Sequence, residues 1–316
     1  MRSYSSYRSL FFVLVMGLSS VQVGAAERLR VGITLHPYFS YVSQIVKERA
    51  EVVPLVDAGF NPHSYEMQPA DLKRLMTMDA LVVNGIGHDE FAFRALDTLQ
   101  SQRGKSGGGL KVIEANADVP LLGVANALGA WNPHTFVSIS ASIRQLYTIA
   151  RELGELDPEN AQFYKINAVK FARELRRMKT SYSARLMGLD LSGVRIASTH
   201  NAYGYFLQEF GIGIDTVIEP AHGVEPSVSQ LQQTIDRIRA ADIQILFTEL
   251  NMDNRYVTTI EQATGIRIYH FSHMTYGEYD SAQFKREMEG NLETLMQALE
   301  QYLSRLNKLA DTGGKY

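Results

Sequence analysis

Three histidines stand where a metal ion could be held. Asn61-Pro62-His63 opens the run NPHSYEMQP, and the same tripeptide returns as Asn132-Pro133-His134 in NPHTFVS. His200 follows a strand-like run in ASTHNAYGYF. Proline fixes its own φ and restricts its neighbour, so a histidine beside it on a tight loop keeps little backbone freedom. Several such histidines on separate loops can converge on one point. Neutral imidazole suits Zn²⁺ well among the common divalent ions. The pattern reads as metal capture rather than catalysis. The chain has no HExxH motif, and no acid stands at a recognisable general-base spacing, so a zinc hydrolase is the weakest rival.

These loops need elements to aim them. Leu29 to Leu35 reads as a strand, Tyr38 to Glu48 as a helix, and Val52 to Val56 as a strand leading into the His63 loop. Pro69 to Met78 reads as a helix with proline in its first turn, and Ala80 to Asn84 as a buried strand. This alternation predicts an α/β lobe with a mainly parallel sheet. Gln102 to Leu110, rich in Gly, Ser and Lys, reads as an exposed turn. Asp157-Pro158 resembles a helix start, and no Gly or further Pro follows until Gly188. Phe163, Ile166, Phe171, Leu175, Met178, Tyr182 and Leu186 recur at mostly helical steps. The spacing predicts one helix of roughly 30 residues, near 45 Å long, joining two lobes.

The second lobe repeats the first in outline. Val194 to Ser198 leads to His200, Ile243 to Phe247 and Ile266 to Tyr269 are further strands, and a last helix runs from Phe284 to about Leu306. NPHSYEMQPADLKRL before ALVVN weakly echoes EPAHGVEPSVSQLQQTI before IQILF. The expected division is therefore a leader over 1–26, an N-terminal lobe over 27–156, a linker helix over 157–188 and a C-terminal lobe over 189–316.

The leader is read from Arg2 and Arg8, the apolar run Leu10 to Leu18, and the small residues that end Val23-Gly24-Ala25-Ala26. This is the pattern of a cleaved secretory signal, and its apolar run is too short to span a membrane. The chain contains 0 Cys, which rules out disulfides, thiolate metal sites and a lipidated cysteine within it. A periplasmic protein without a direct membrane anchor is expected. The net charge of −3 becomes −5 once Arg2 and Arg8 leave, a poor match for nucleic acid or anionic lipid.

The order NPHSYEMQPADLKRLMTMDALVVNGIGHDEF, NPHTFVSISAS, STHNAYGYFLQEFGI and IEPAHGVEPSVSQL resembles the zinc- and manganese-binding solute-binding proteins of bacterial ABC importers. The likeness spans nearly the whole mature chain. It implies two α/β lobes joined by one rigid helix, with the metal in the cleft between them. It also implies a membrane permease as partner and a monomeric carrier. Zn(II) is the implied cargo, with Mn(II) possible. A metal-dependent adhesin and a zinc chaperone would share the fold.

In that family two ligands come from each lobe. His63, His134 and His200 match the first three positions. The fourth is normally an Asp after the last strand, and here the loop reads Tyr269-His270-Phe271-Ser272-His273-Met274. His273 is the nearest match, His270 the second, and Glu249 or a water could complete the shell instead. Of the other histidines, His36 could line the cleft mouth. His88 in GIGHDEF and His222 in EPAHGVEP read as surface loop residues. Glu66, Asn84 and Glu90 are candidates to hold the second nitrogen of a ligand imidazole.

Overall fold

The computed structural model describes residues 28–60, 65–103, 109–124, 129–218, 227–250 and 255–313. The leader, His63 and His222 lie outside them. The chain forms two parallel four-stranded sheets with helices between and around them. The first sheet contains β1 (Leu29–Ile33), β2 (Ala50–Pro54), β3 (Ala80–Val83) and β4 (Lys111–Glu114), in the order β2-β1-β3-β4. The second contains β5 (Ile196–Ser198), β6 (Thr216–Val217), β7 (Ile245–Glu249) and β8 (Arg267–Phe271), in the order β6-β5-β7-β8. All six strand pairings within them are parallel.

Parallel strands covered on both faces are largely apolar, and this is why β3 reads ALVV and β7 begins ILF, with every residue of both buried; only the carboxyl end of β7 turns polar, at Thr248 and Glu249. Both sheets place their second strand on one side of the first and their third on the other. The crevice at such a reversal, beyond the carboxyl ends of the strands, is the usual binding place in open α/β sheets. Here those ends are β1 and β3 in one half, and β5 and β7 in the other.

The helices are α1 (His36–Val46), α2 (Pro69–Leu75), α3 (Glu90–Arg103), α4 (Ile139–Leu156), α5 (Ala161–Leu186), α6 (Gly204–Gln208), α7 (Val228–Ala240), α8 (Arg255–Thr264) and α9 (Gln283–Gly313). Gln102 and Arg103 belong to α3 rather than to an exposed turn. α5 has 26 residues, about 39 Å. It begins later than its sequence suggests. Asp157 terminates α4, its backbone N–H bonded to the Leu153 carbonyl, and its carboxylate accepts from Asn160 and from the Tyr164 hydroxyl. An acid followed by proline thus caps a turn between two helices. The buried stripe of α5 runs through Tyr164, Ala168, Phe171, Leu175, Tyr182 and Leu186, while Ile166 faces out at 55% exposure.

α5 touches both halves. Asn167 donates to the Ile45 carbonyl of α1 at 3.0 Å, and Lys285 of α9 donates to Glu174 at 2.8 Å. One continuous apolar core joins the first sheet, α1, α4, α5 and α9 to the inner face of the second sheet. A smaller core under α7 and α8 covers that sheet's outer face through Ile235, Ile238, Leu246, Val257 and Ile260. The segment after β8 also crosses to the first half, where Tyr279 donates to the Val56 carbonyl at 2.8 Å. A shared core and such crossings favour small shifts over a wide hinge.

Candidate metal site

His134, His200 and His273 meet in the cleft. One ring nitrogen from each lies within 4.8 Å of the others, and all three side chains are buried. They arrive from three different loops, and each loop is fixed by its own chemistry.

His134 starts a short 3₁₀ turn over His134–Val137, all of it buried. Asn132, two residues earlier, accepts both the backbone N–H of His134 at 3.0 Å and its Nδ1 at 2.8 Å. The amide oxygen can only accept, so Nδ1 carries a proton and a neutral ring leaves its lone pair on Nε2. The Asn of the Asn-Pro-His tripeptide is thus the group that fixes the tautomer. The amide nitrogen of Asn132 donates to the Asn201 carbonyl at 2.8 Å, beside His200 in the other half.

His200 sits just past the carboxyl end of β5. The Ser198 hydroxyl donates to its carbonyl at 2.6 Å, which tightens the turn. Its Nε2 lies 3.2 Å from Nε2 of His134. His273 follows β8, and Met274 next to it takes the left-handed conformation, φ 64°. Asn291 on α9 holds Ser272 by two bonds, accepting its N–H at 2.7 Å and donating to its carbonyl at 2.9 Å. The His273 Nδ1 lies 3.1 Å from the Thr275 hydroxyl.

Glu249, the last residue of β7, is 1% exposed. Its carboxylate approaches Nδ1 of His200 at 3.8 Å and Nδ1 of His273 at 4.0 Å. A buried carboxylate beside two imidazoles places negative charge where a divalent cation would otherwise be buried without compensation.

The structure sorts the other histidines. His270 lies on the exposed face of β8, away from the cluster. His36 is buried, with its ring stacked on Tyr279 at 4.4 Å and its Nε2 2.9 Å from the Gly277 carbonyl; burial holds its pKa below the ordinary imidazole value. It joins the two halves and does not enter the cluster.

His88 is a correction. It reads as a surface loop residue, yet it is 3% exposed and its ring lies 4.5 Å from that of His134. Two glycines at positive φ, Gly85 (79°) and Gly87, make this possible. Gly87 has φ 123°, and a Cβ there would lie 3.1 Å from the Pro133 ring, so the Gly loop is pressed against the Asn-Pro-His loop. The clue available beforehand was the position of GIGH, directly after a fully apolar strand. Asn84 at the same strand end donates to the carbonyls of Gly87 at 2.9 Å and Pro133 at 3.0 Å. It therefore positions the His134 loop, while Glu66 and Glu90 are exposed.

The sequence profile of the family "zinc-uptake complex component A, periplasmic" matches residues 31–298. Among solved structures, the SBP FpvC of Pseudomonas aeruginosa in complex with Ni²⁺ superposes with a TM-score of 0.80 at 48% identity, covering 87% of this chain and 98% of that one. The same protein in complex with Mn²⁺ gives a TM-score of 0.79 at 49% identity, covering 87% and 100%. A curated relative, the manganese-binding lipoprotein MntA of Halalkalibacterium halodurans, is 23% identical over 266 residues, 82% of this chain and 86% of that one.

Proposed function

This chain belongs to the family of periplasmic zinc-uptake component A, and on that premise we propose that it captures Zn(II) and hands it to the permease of an ABC-type importer. The observation that carries this reading is the convergence of His134, His200 and His273 within 4.8 Å, drawn from both halves. His63, from the other Asn-Pro-His tripeptide, is the further proposed ligand. Nitrogen donors in this number favour Zn²⁺ over ions that prefer oxygen. Glu249 lies on the Nδ1 side of two of the rings, where a carboxylate orients an imidazole and raises its basicity.

Mn(II) is the second reading. The Glu249 carboxylate supports it, as do the Mn²⁺ complex of FpvC and the name of MntA. The role is binding and delivery rather than turnover, and the carrier works as a monomer in the periplasm after loss of residues 1–26. Ligands drawn from both halves mean that metal bridges them. Binding then stabilises the fold by mass action, about 2.7 kcal/mol at 100 times Kd.

The test is metal content by elemental mass spectrometry. The mature protein is stripped and reloaded from equimolar Zn²⁺ and Mn²⁺. About one Zn per chain with negligible Mn supports the zinc reading. Retained Mn moves the assignment to manganese, and a chain that keeps neither is no metal carrier.

A further inference from the structure

We infer that Glu209 is a positioning residue: it clamps the loops of His134 and His200 together and so sets how slowly the site lets metal go. The inference rests on the metal-capture reading. Its starting point is a carboxylate from the second half seated in the first. Glu209 ends α6, and its side chain is 6% exposed. One of its oxygens accepts from the Ser138 hydroxyl and from the Ser140 N–H. Ser138 is the N-cap of α4, its hydroxyl oxygen accepting from the Ala141 N–H at 3.1 Å. The acid thus sits at the positive end of an 18-residue helix, and its bonds are charge-assisted. Lys179 of α5 completes the junction. Its ammonium donates to the Ser140 hydroxyl at 2.7 Å and lies 3.8 Å from the second Glu209 oxygen. The two halves and the helix joining them therefore meet at one side chain.

The lever arms from this junction to the metal cluster are short and stiff. Ser138 follows His134 by a single buried 3₁₀ turn, about 8 Å of rise. Glu209 lies nine residues after His200, through a tight turn and α6. Two further contacts run along the same seam at four-residue steps. The Asn201 carbonyl accepts from the Asn132 amide, and the Tyr205 hydroxyl donates to the Asn132 carbonyl at 3.0 Å while accepting from the Leu122 N–H at 2.8 Å. Asn201, Tyr205 and Glu209 thus fasten the segment after His200 to the segment around His134. A site assembled beforehand loses less freedom on binding, and its metal leaves only when the seam opens. Glu209 anchors the far end of that seam through Ser138, Ser140 and Lys179.

The experiment is the rate at which Zn²⁺ passes from the loaded, full-length mature protein to an excess of a chromophoric chelator, followed by stopped flow. Glu209→Ala should speed release roughly 10–100-fold, if the loss of metal affinity on removing an outer partner of a ligand falls on the release step. Glu209→Gln keeps an acceptor for Ser138 and Ser140 but no charge, and should fall between. Lys179→Met leaves the seam's other members in place and should speed release less, which guards against an alanine variant that folds poorly. Hydrogen exchange of residues 132–140 should rise in Glu209→Ala with or without Zn²⁺. A purely structural Glu209 would lower the melting temperature of the stripped and loaded forms equally and leave release unchanged. Release within twofold of the unaltered protein in both Glu209→Ala and Lys179→Met overturns the inference alone. An unaltered protein that holds no Zn²⁺ overturns the capture reading, and the role of Glu209 falls with it.

Discussion

The two halves use the same sheet order but supply the cluster with different chemistry. On the first side the support is neutral. The Asn84 amide oxygen accepts from Tyr38 at 2.5 Å and from Asn116 at 2.9 Å, and Gln145 donates to Asn116 at 2.8 Å and to Thr135 at 3.0 Å. Asn84, Asn116 and Gln145 thus form a buried amide network, and Asn132 holds the His134 ring itself. On the second side carboxylates join the Asn291 amide in the holding. Glu249 faces His200 and His273, and Glu287 accepts from Ser272 at 2.6 Å. Amides fix direction, because each has separate donor and acceptor atoms. Carboxylates bring charge that offsets a buried cation. One half aims the site and the other makes a dication tolerable there.

The largest effects should come from removing a ligand on either side. His134→Ala and His200→Ala should each weaken Zn²⁺ binding by more than about 100-fold, above the cost of losing an outer hydrogen bond. Competition against a chelator of known affinity reads this directly. A loss under tenfold in one variant would show that its half contributes no ligand, and the comparison would collapse to a one-sided site.

The supports come next, and here the two halves should behave differently. Glu249→Gln keeps size and removes charge, so it should weaken every divalent metal by roughly 10–100-fold. Asn132→Ala should cost a similar factor for another reason: it releases the His134 ring to present either nitrogen and frees the Asn201 carbonyl. Nitrogen hyperfine signals from a bound Cu²⁺ probe would tell the two apart. Only Asn132→Ala should disturb the His134 signal with the charge retained. Identical spectra for the two variants would erase the distinction between aiming and charge.

Much of this was legible beforehand, and what was not has physical causes. A continuous apolar run places β3, and the run Ile245-Leu246-Phe247 places the first part of β7, because a strand covered on both faces has few polar residues to hide it. Pro69 marks the start of α2 because its missing N–H is an orphan there anyway. Asp157-Pro158 misplaces the start of α5 by about one turn, since a local cap signal cannot show that Tyr164 will claim the carboxylate. His88 misleads for a similar reason. A glycine-rich turn reads as exposed, and only contact with Pro133, 45 positions further on, buries it. His270 and His273 are near neighbours in sequence, but strand alternation turns the first outward, while the second lies past the strand end on a bend. Ring partners were the least legible. Asn132 lies inside the motif itself, yet nothing in its spacing says that its oxygen accepts from the histidine two residues on.

The neutral network should matter most for the fold itself. Asn84 is fully buried, and its side chain bonds Tyr38, Asn116, Gly87 and Pro133. Asn84→Ala strands several of these partners and should cost about 2–3 kcal/mol in the stripped protein. Chemical denaturation at neutral pH measures this. The paired bonds of Asn291 to Ser272 should be worth less, about 1–2 kcal/mol. If Asn291→Ala were the more damaging, the stiffer support would lie on the second side.

One charge does stand among the amides. Asp89 lies at the start of α3, and burial pushes its carboxyl up to about 7 despite hydrogen bonds from the Asn84 and Gly85 N–H groups and the Thr34 hydroxyl. A folded pKa above the ordinary 3.8 means that the folded chain holds a proton the unfolded chain has released. Stability from this group is full below about pH 4 and falls as pH rises toward and through 7. Metal affinity runs the other way, because protons compete for the imidazoles, so the stripped protein is the one to titrate. Asp89→Asn keeps an acceptor for the same donors and removes the charge. It should flatten the decline between pH 4 and 7 and stabilise the stripped protein at pH 8 by about 1 kcal/mol, the scale of a modest buried substitution. A decline of unaltered slope in Asp89→Asn would mean that the carboxyl is ionised throughout, and the first half would then carry charge of its own.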